Sequence, residues 1–230
     1  MKLLVAIIVC AMFLAGIVYA EEMMLNTQKD KISYSIGLDA GKNLKKQEID
    51  INPEVLAKGL KDGLSGAKPL MTDQEVQETM TSFRNELMSK QQDRIKMLAE
   101  KNKKEGEAFL SENKKKEGIK TTKSGLQYKV IKEGTGKTPK ADDTVTVNYR
   151  GTLIDGTEFD SSYKRGEAAT FPVTGVIAGW TEVLQLMKEG SKWQLFIPSN
   201  LAYGERGAGG VIGPFAVLIF EVELVSVTEK

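Results

Sequence analysis

Gly179-Trp180-Thr181-Glu182-Val183-Leu184-Gln185-Leu186-Met187 sets Trp180, Val183, Leu184 and Met187 on one side of a helix. Just beyond it Trp193, Leu195 and Ile197 alternate along an extended segment. Outward in both directions the same period of two recurs, at Leu126, Tyr128 and Val130, at Val145, Val147 and Tyr149, and at Leu218, Phe220, Val222 and Leu224. Such patterns describe antiparallel strands with one buried face. A short helix laid across a twisted antiparallel sheet makes residues 118–230 an α+β domain.

The half before Gly118 reads as helical. Ile32, Ile36, Ala40 and Leu44 recur every four residues, as do Leu56, Leu60 and Leu64, and Asn52 before Pro53 is a helix start. Neither stripe can be buried by its own helix, and the segment is small for an independent core, so a partner surface is expected. Thr72-Asp73-Gln74-Glu75 is a capping box followed by a stripe at Val76, Met80, Phe83 and Leu87. No proline interrupts residues 72–118, which predicts one helix of roughly 65 Å at ~1.5 Å per residue. Its second half reads as polar all round, as in a solvent-bridging helix between domains. The lysines at 114–116, flanked by Glu112 and Glu117, fit a solvated linker face better than a docking patch. The expected layout is residues 1–20 as a leader, 21–72 as an all-helical module, 73–117 as the connecting helix and 118–230 as the sheet domain.

The 230 residues carry 32 lysines and arginines against 31 acids, a balance that argues for neither nucleic acid nor an acidic membrane surface as partner. Histidine is absent, which removes Ser-His-Asp and Cys-His catalysis and the usual zinc sets. No motif gathers the carboxylates into a calcium loop, so neither metal nor cofactor is expected. The single cysteine, Cys10, lies within an apolar run that follows Lys2 and ends Val18-Tyr19-Ala20 before Glu21-Glu22. That is the layout of a secretory signal peptide cleaved after Ala20; the competing reading is a retained anchor. Cleavage leaves an exported chain without cysteine and without a membrane span, stabilised by packing alone.

Large apolar residues recur at element ends through Val145-Thr146-Val147-Asn148-Tyr149-Arg150-Gly151, Gly156-Thr157-Glu158-Phe159-Asp160-Ser161, Val176-Ile177-Ala178-Gly179-Trp180, Leu201-Ala202-Tyr203-Gly204, Ile212-Gly213-Pro214 and Leu218-Ile219-Phe220. Few polar groups stand among them, the signature of an apolar ligand pocket. In order, spacing and identity these blocks resemble the FKBP-type peptidyl-prolyl isomerases over roughly the last half of the chain. The helical segment, through Ser33-Tyr34-Ser35-Ile36-Gly37 and Gly59-Leu60-Lys61-Asp62-Gly63-Leu64, resembles the dimerisation module of bacterial members of the macrophage infectivity potentiator type. The resemblance implies a half-barrel wrapped around a short helix, and a homodimer formed through the amino-terminal helices. It further implies proline-containing polypeptides as substrates, macrolides as inhibitors, and a place in the periplasm or outer envelope of a bacterium.

An X-Pro amide rotates over a barrier of ~18–20 kcal/mol without making or breaking a bond, so no nucleophile is required. The catalyst must bind the twisted amide better than the planar one. Lowering the barrier by ~7 kcal/mol is worth roughly 10⁵ in rate. By resemblance, Trp180 is the pocket floor and Tyr149, Phe159, Val176, Ile177 and Phe220 are walls. The Tyr203 hydroxyl and the Ile177 backbone N–H would meet substrate carbonyls, Asp160 would hold Tyr149 or act on the amide electrostatically, and Ile212 would border a flap. The alternatives are Trp180, Tyr149 and Phe220 as plain core and Asp160 as a turn cap. Where many members carry another phenylalanine before Phe171, this chain has Ala168, Ala169 and Thr170, which predicts a pocket with one low wall.

Three other motifs compete. Gly134-Thr135-Gly136-Lys137-Thr138 mimics the end of a phosphate loop but lacks its leading glycine and has Pro139 at the helix start. Gly207-Ala208-Gly209-Gly210 reads as a loop over the pocket. Among Asp155, Glu158 and Asp160 a glycosidase carboxylate pair could be imagined, but Asp155-Gly156 is a turn dipeptide and Glu158 fits an exposed strand edge. The rival to catalysis is a chaperone or peptide-binding module; adhesion has only the leader in its favour.

Overall fold

The computed structural model describes residues 24–230, so the leader and Cys10 lie outside the described residues. These residues form two compact units, one ending at Thr72 and one spanning Asp73–Lys230.

In the first unit, α1 (Gln28–Lys46) starts at a capping box, where the Thr27 side chain accepts from the Asp30 N–H and Asp30 reaches back to the Thr27 N–H. Helix α2 (Pro53–Ser65) starts as expected, with Asn52 accepting from the Val55 N–H and Pro53 at the first position, and stops at left-handed Gly66. Neither helix has a buried residue.

In the second unit, α3 (Asp73–Asn113) runs unbroken for 41 residues. Then follow β1 (Ile119–Thr121), β2 (Gln127–Lys132), β3 (Thr144–Leu153), β4 (Glu158–Ser161), α4 (Ser162–Arg165), β5 (Ala169–Pro172), α5 (Ala178–Leu184), β6 (Lys192–Ile197) and β7 (Leu218–Thr228). All seven strands join one antiparallel sheet in the order β1-β2-β6-β7-β3-β4, with β5 also on β3. Strand β3 pairs with β7 along its length. On the other edge β5 pairs with its first half and β4 with its last residues. The chain between those two partners must leave the sheet, and α4 is that excursion.

Helix α5 lies against the sheet with Trp180, Val183 and Leu184 buried. Helical geometry ends at Leu184, earlier than the periodicity predicts. The Met187 N–H still bonds to the Val183 carbonyl at 3.1 Å, which keeps that side chain in the core. Gly179 is required by closeness, since a Cβ there would stand 2.6 Å from Ile197 Cγ2.

Two expectations need correction. The second half of α3 is not polar all round. Gly106 and Asn113 are buried, Asn113 donates to Gln127 Oε1 at 3.0 Å, and Phe109 packs on Phe196 with ring centroids 5.9 Å apart. Consequently the sheet is buried on more than one face, for Gln127 and Phe196 are buried beside their alternating neighbours Leu126, Leu195 and Ile197. The helix end covers the side that α5 leaves open.

Candidate functional site

A cavity of about 620 Å³ opens over α5, and all nine residues expected at the site line it. Trp180, on the first turn of α5, is 4% exposed. It meets Tyr149 and Phe220 at centroid distances of 5.2 Å and Phe171 at 6.2 Å, each close to edge-to-face. Phe159 stands on Phe220 in the same way at 5.4 Å. These are the arrangements that ring quadrupoles favour, and they fix an aromatic floor in which the Trp180 Nε1 is buried without a hydrogen-bond partner among the described residues. Strand alternation delivers Tyr149 and Phe220 to the same face, because Gly151 pairs with Phe220 and Tyr149 with Val222 across β3 and β7.

Val176 and Ile177 come from the approach to α5, whose first-turn N–H groups donate to no side-chain cap. The Ile177 carbonyl takes the N–H groups of Trp180 and Thr181, at 2.9 and 3.1 Å, while its own N–H has no backbone acceptor among the described residues. Tyr203 sits half-exposed in the loop after the single turn at Ser199–Leu201, and its hydroxyl has no partner among the described residues. Ile212 is fixed by a two-way backbone bridge to Ala208, and Gly207, Gly209 and Gly210 take the positive φ angles that this tight loop requires.

Asp160 faces the cavity edge with both oxygens engaged. It accepts from the Tyr149 hydroxyl at 2.5 Å on one oxygen and from Arg165 Nη1 at 2.5 Å on the other. Arg165 Nη2 donates to the Tyr149 hydroxyl at 2.9 Å, and its guanidinium lies 5.4 Å from that ring's centroid. Burial by itself would raise the Asp160 carboxyl, but the bonds from Tyr149 and Arg165 outweigh it and hold the pKa below the ordinary value. Burial first, then the bond to Asp160, raises the Tyr149 phenol. The triangle therefore keeps Tyr149 neutral and fixed, with its hydroxyl fully occupied.

Sequence reasoning missed Phe171, Val211 and Arg165. Phe171 lines the cavity against Trp180 and Tyr149, while Ala168, Ala169 and Thr170 before it do not line it. The period of two placed Phe171 and Ala169 on one face and could have pointed to Phe171. Arg165 is carried by the α4 excursion between the two edge strands, and nothing in its charged surroundings distinguishes it.

The decoys fall away for local reasons. Gly136 donates to the Glu189 carbonyl and Lys137 accepts from the Glu189 N–H, with no helix following. Asp155 accepts from the Thr157 N–H at 2.9 Å, closing a turn. Glu158 is partly buried rather than exposed, held by Arg150 and Lys164 at 2.7 and 2.8 Å.

Residues 135–225 match the family of FKBP-type peptidyl-prolyl cis-trans isomerases, and residues 29–130 match the domain found amino-terminal to it. Over 227 residues the chain is 52% identical to the outer membrane protein MIP of Legionella longbeachae, covering 99% of this chain and 97% of that one. The chain belongs to the FKBP-type peptidyl-prolyl cis-trans isomerases. It is 47% identical to the peptidyl-prolyl cis-trans isomerase Mip of Coxiella burnetii over 90% of both chains. The crystal structure of FkpA from Escherichia coli superposes with a TM-score of 0.71 at 39% identity, covering 89% of this chain and 99% of that one. As an FKBP-type enzyme the protein isomerises X-Pro bonds in polypeptides. No helix among the described residues is long and apolar enough to cross a membrane.

Proposed function

We propose that this isomerase seats the proline ring on Trp180, between Tyr149, Phe159, Phe171, Val176 and Phe220, with Ile212 closing the rim. A twisted amide has less charge separation than a planar one, so a dry, aromatic pocket favours the rotated form. The Tyr203 hydroxyl and the Ile177 N–H take substrate carbonyls, since both donors lack a partner among the described residues. Asp160 acts by locking Tyr149, because both of its oxygens are already engaged. The observation that carries this reading is the cavity floored by Trp180 with an unpartnered Tyr203 hydroxyl at its edge. Macrolide inhibitors would compete for the same floor.

The helical unit, residues 21–72, serves as a dimerisation module, with Leu56, Leu60 and Leu64 exposed for it. The leader directs the chain out of the cytoplasm to the periplasm or outer envelope, where exported polypeptides are the substrates. Residues 21–230 are expected to accelerate cis–trans exchange in a short X-Pro peptide, and Asp160→Ala to slow it while the fold is retained. Exchange at the uncatalysed rate by the folded wild type would overturn the reading and leave a non-catalytic peptide-binding role for the pocket.

A further inference from the structure

The end of α3 and two pocket loops share one anchor, Pro214-Phe215. Asn102 Nδ2, on α3, donates to the Pro214 carbonyl at 2.7 Å. Lys103, the next residue, places its ammonium 4.0 Å from the centroid of the Phe215 ring. The Phe215 N–H in turn donates to the Gly204 carbonyl at 2.8 Å, and Gly204 directly follows Tyr203. In the other direction Pro214 is two residues from Ile212, the rim of the cavity.

Three features make this anchor more than ordinary packing. Phe215 has φ +56, a left-handed conformation that a bulky side chain keeps only where its surroundings impose it. The approach of α3 is close: a Cβ on Gly213 would lie 2.9 Å from Leu98 Cδ2 and 3.0 Å from Asn102 Nδ2. A Cβ on Gly106 would lie 2.8 Å from Val217 Cγ2. Behind the rim is a second cavity of about 300 Å³, lined by Leu98, Asn102, Val211, Gly213 and Val217 among others, and Val211 lines both cavities. The segment 211–213 is thus a thin wall between two hollows. The bridge to Ala208 holds it on the pocket side, and the Asn102 hydrogen bond and the Lys103 cation hold its far end.

We infer that Asn102, supported by Lys103, is a positioning residue for isomerisation: helix α3 sets the rim at Ile212 and the Tyr203 loop through Pro214-Phe215. The Tyr203 arm rests on the assignment of its hydroxyl to the substrate. The rim arm does not.

The test uses the full mature chain with Asn102→Ala, Lys103→Ala, Tyr203→Phe and the Asn102→Ala/Tyr203→Phe double variant. Alanine suits a helix, so both α3 variants should fold, and circular dichroism verifies it. Loss of one such bond should lower kcat/KM about fivefold in Asn102→Ala. Because Asn102 acts through the loop that carries Tyr203, the double variant should lose less than the product of the two single losses. Faster amide hydrogen exchange at Ile212, whose N–H bonds to the Ala208 carbonyl, should accompany the loss. Asn102→Ala with unchanged kcat/KM and unchanged Ile212 exchange overturns the inference, as do losses that multiply in full without any change at Ile212. If Tyr203→Phe alone is inert, the hydroxyl assignment fails, and Ile212 exchange in Asn102→Ala still decides the α3 role.

Discussion

Two sets of leucines occur in this chain and meet opposite fates. Leu56, Leu60 and Leu64 of α2 are 52%, 63% and 81% exposed, while Leu126, Leu195 and Leu218 of the sheet unit are fully buried. Both sets follow regular apolar spacing, so periodicity fixes which way a side chain points within its element, not whether anything awaits it there. Burying a leucine is worth ~1.5–3 kcal/mol, and α2 forgoes that gain at three positions within a single chain. The sheet unit is complete in itself; the helical unit is a surface in search of its complement. The proposed complement is a second copy of the chain.

The sharpest test of that contrast is Trp180→Ala, which removes the floor shared by three other rings. It should destabilise the sheet unit by about 3–5 kcal/mol and leave exchange near the uncatalysed rate, read by denaturant unfolding and peptide assay. Next, Leu60→Asp should convert a dimer to monomer in light scattering while the sheet unit keeps its melting transition and its activity on a short peptide. A monomeric wild type would break the comparison. Tyr203→Phe should cost about fivefold in rate with no loss of stability, one hydrogen bond's worth.

The smallest effect is in pH. The native pKa of Asp160 is lowered, so its contribution is full above the unfolded carboxylate value near 3.9 and is lost as pH falls through the native value. Tyr149 is raised, so its contribution is full below about pH 10 and is lost as pH climbs through the native value. The difference in melting temperature between wild type and Asp160→Asn should therefore stay flat from about pH 4 to about pH 10. It should shrink only outside that range.

Strands β2, β3, β6 and β7 and helix α5 were readable because large apolar groups at period two or at helical spacing have few other uses, while the nine pocket residues were read from the resemblance of their motifs to the family. The contact of α3 with the sheet was not, although its residues obey a spacing too: Leu98, Asn102, Gly106, Phe109 and Asn113 fall on one side of the helix. Two asparagines and a glycine carry no hydropathy signal. Their value lies in one short hydrogen bond to Pro214, another to Gln127 and a missing Cβ, which exist only when the partner surface is present. Arg165 is a similar case, a surface-type residue whose role comes from Tyr149 and Asp160 on neighbouring strands.

Local pattern therefore determined the α+β class and the helical amino-terminal half, because apolar surface must leave water wherever the chain puts it, and the resemblance of the motifs to the family named the aromatic floor. Tertiary structure decided what polar residues do: which oxygens of Asp160 are occupied, why Tyr149 has no hydroxyl to spare, and how α3 reaches the rim of the pocket. Hydrogen bonds act over about 3 Å and with fixed direction, so their partners, unlike a hydrophobic face, cannot be inferred until the chain has brought them together.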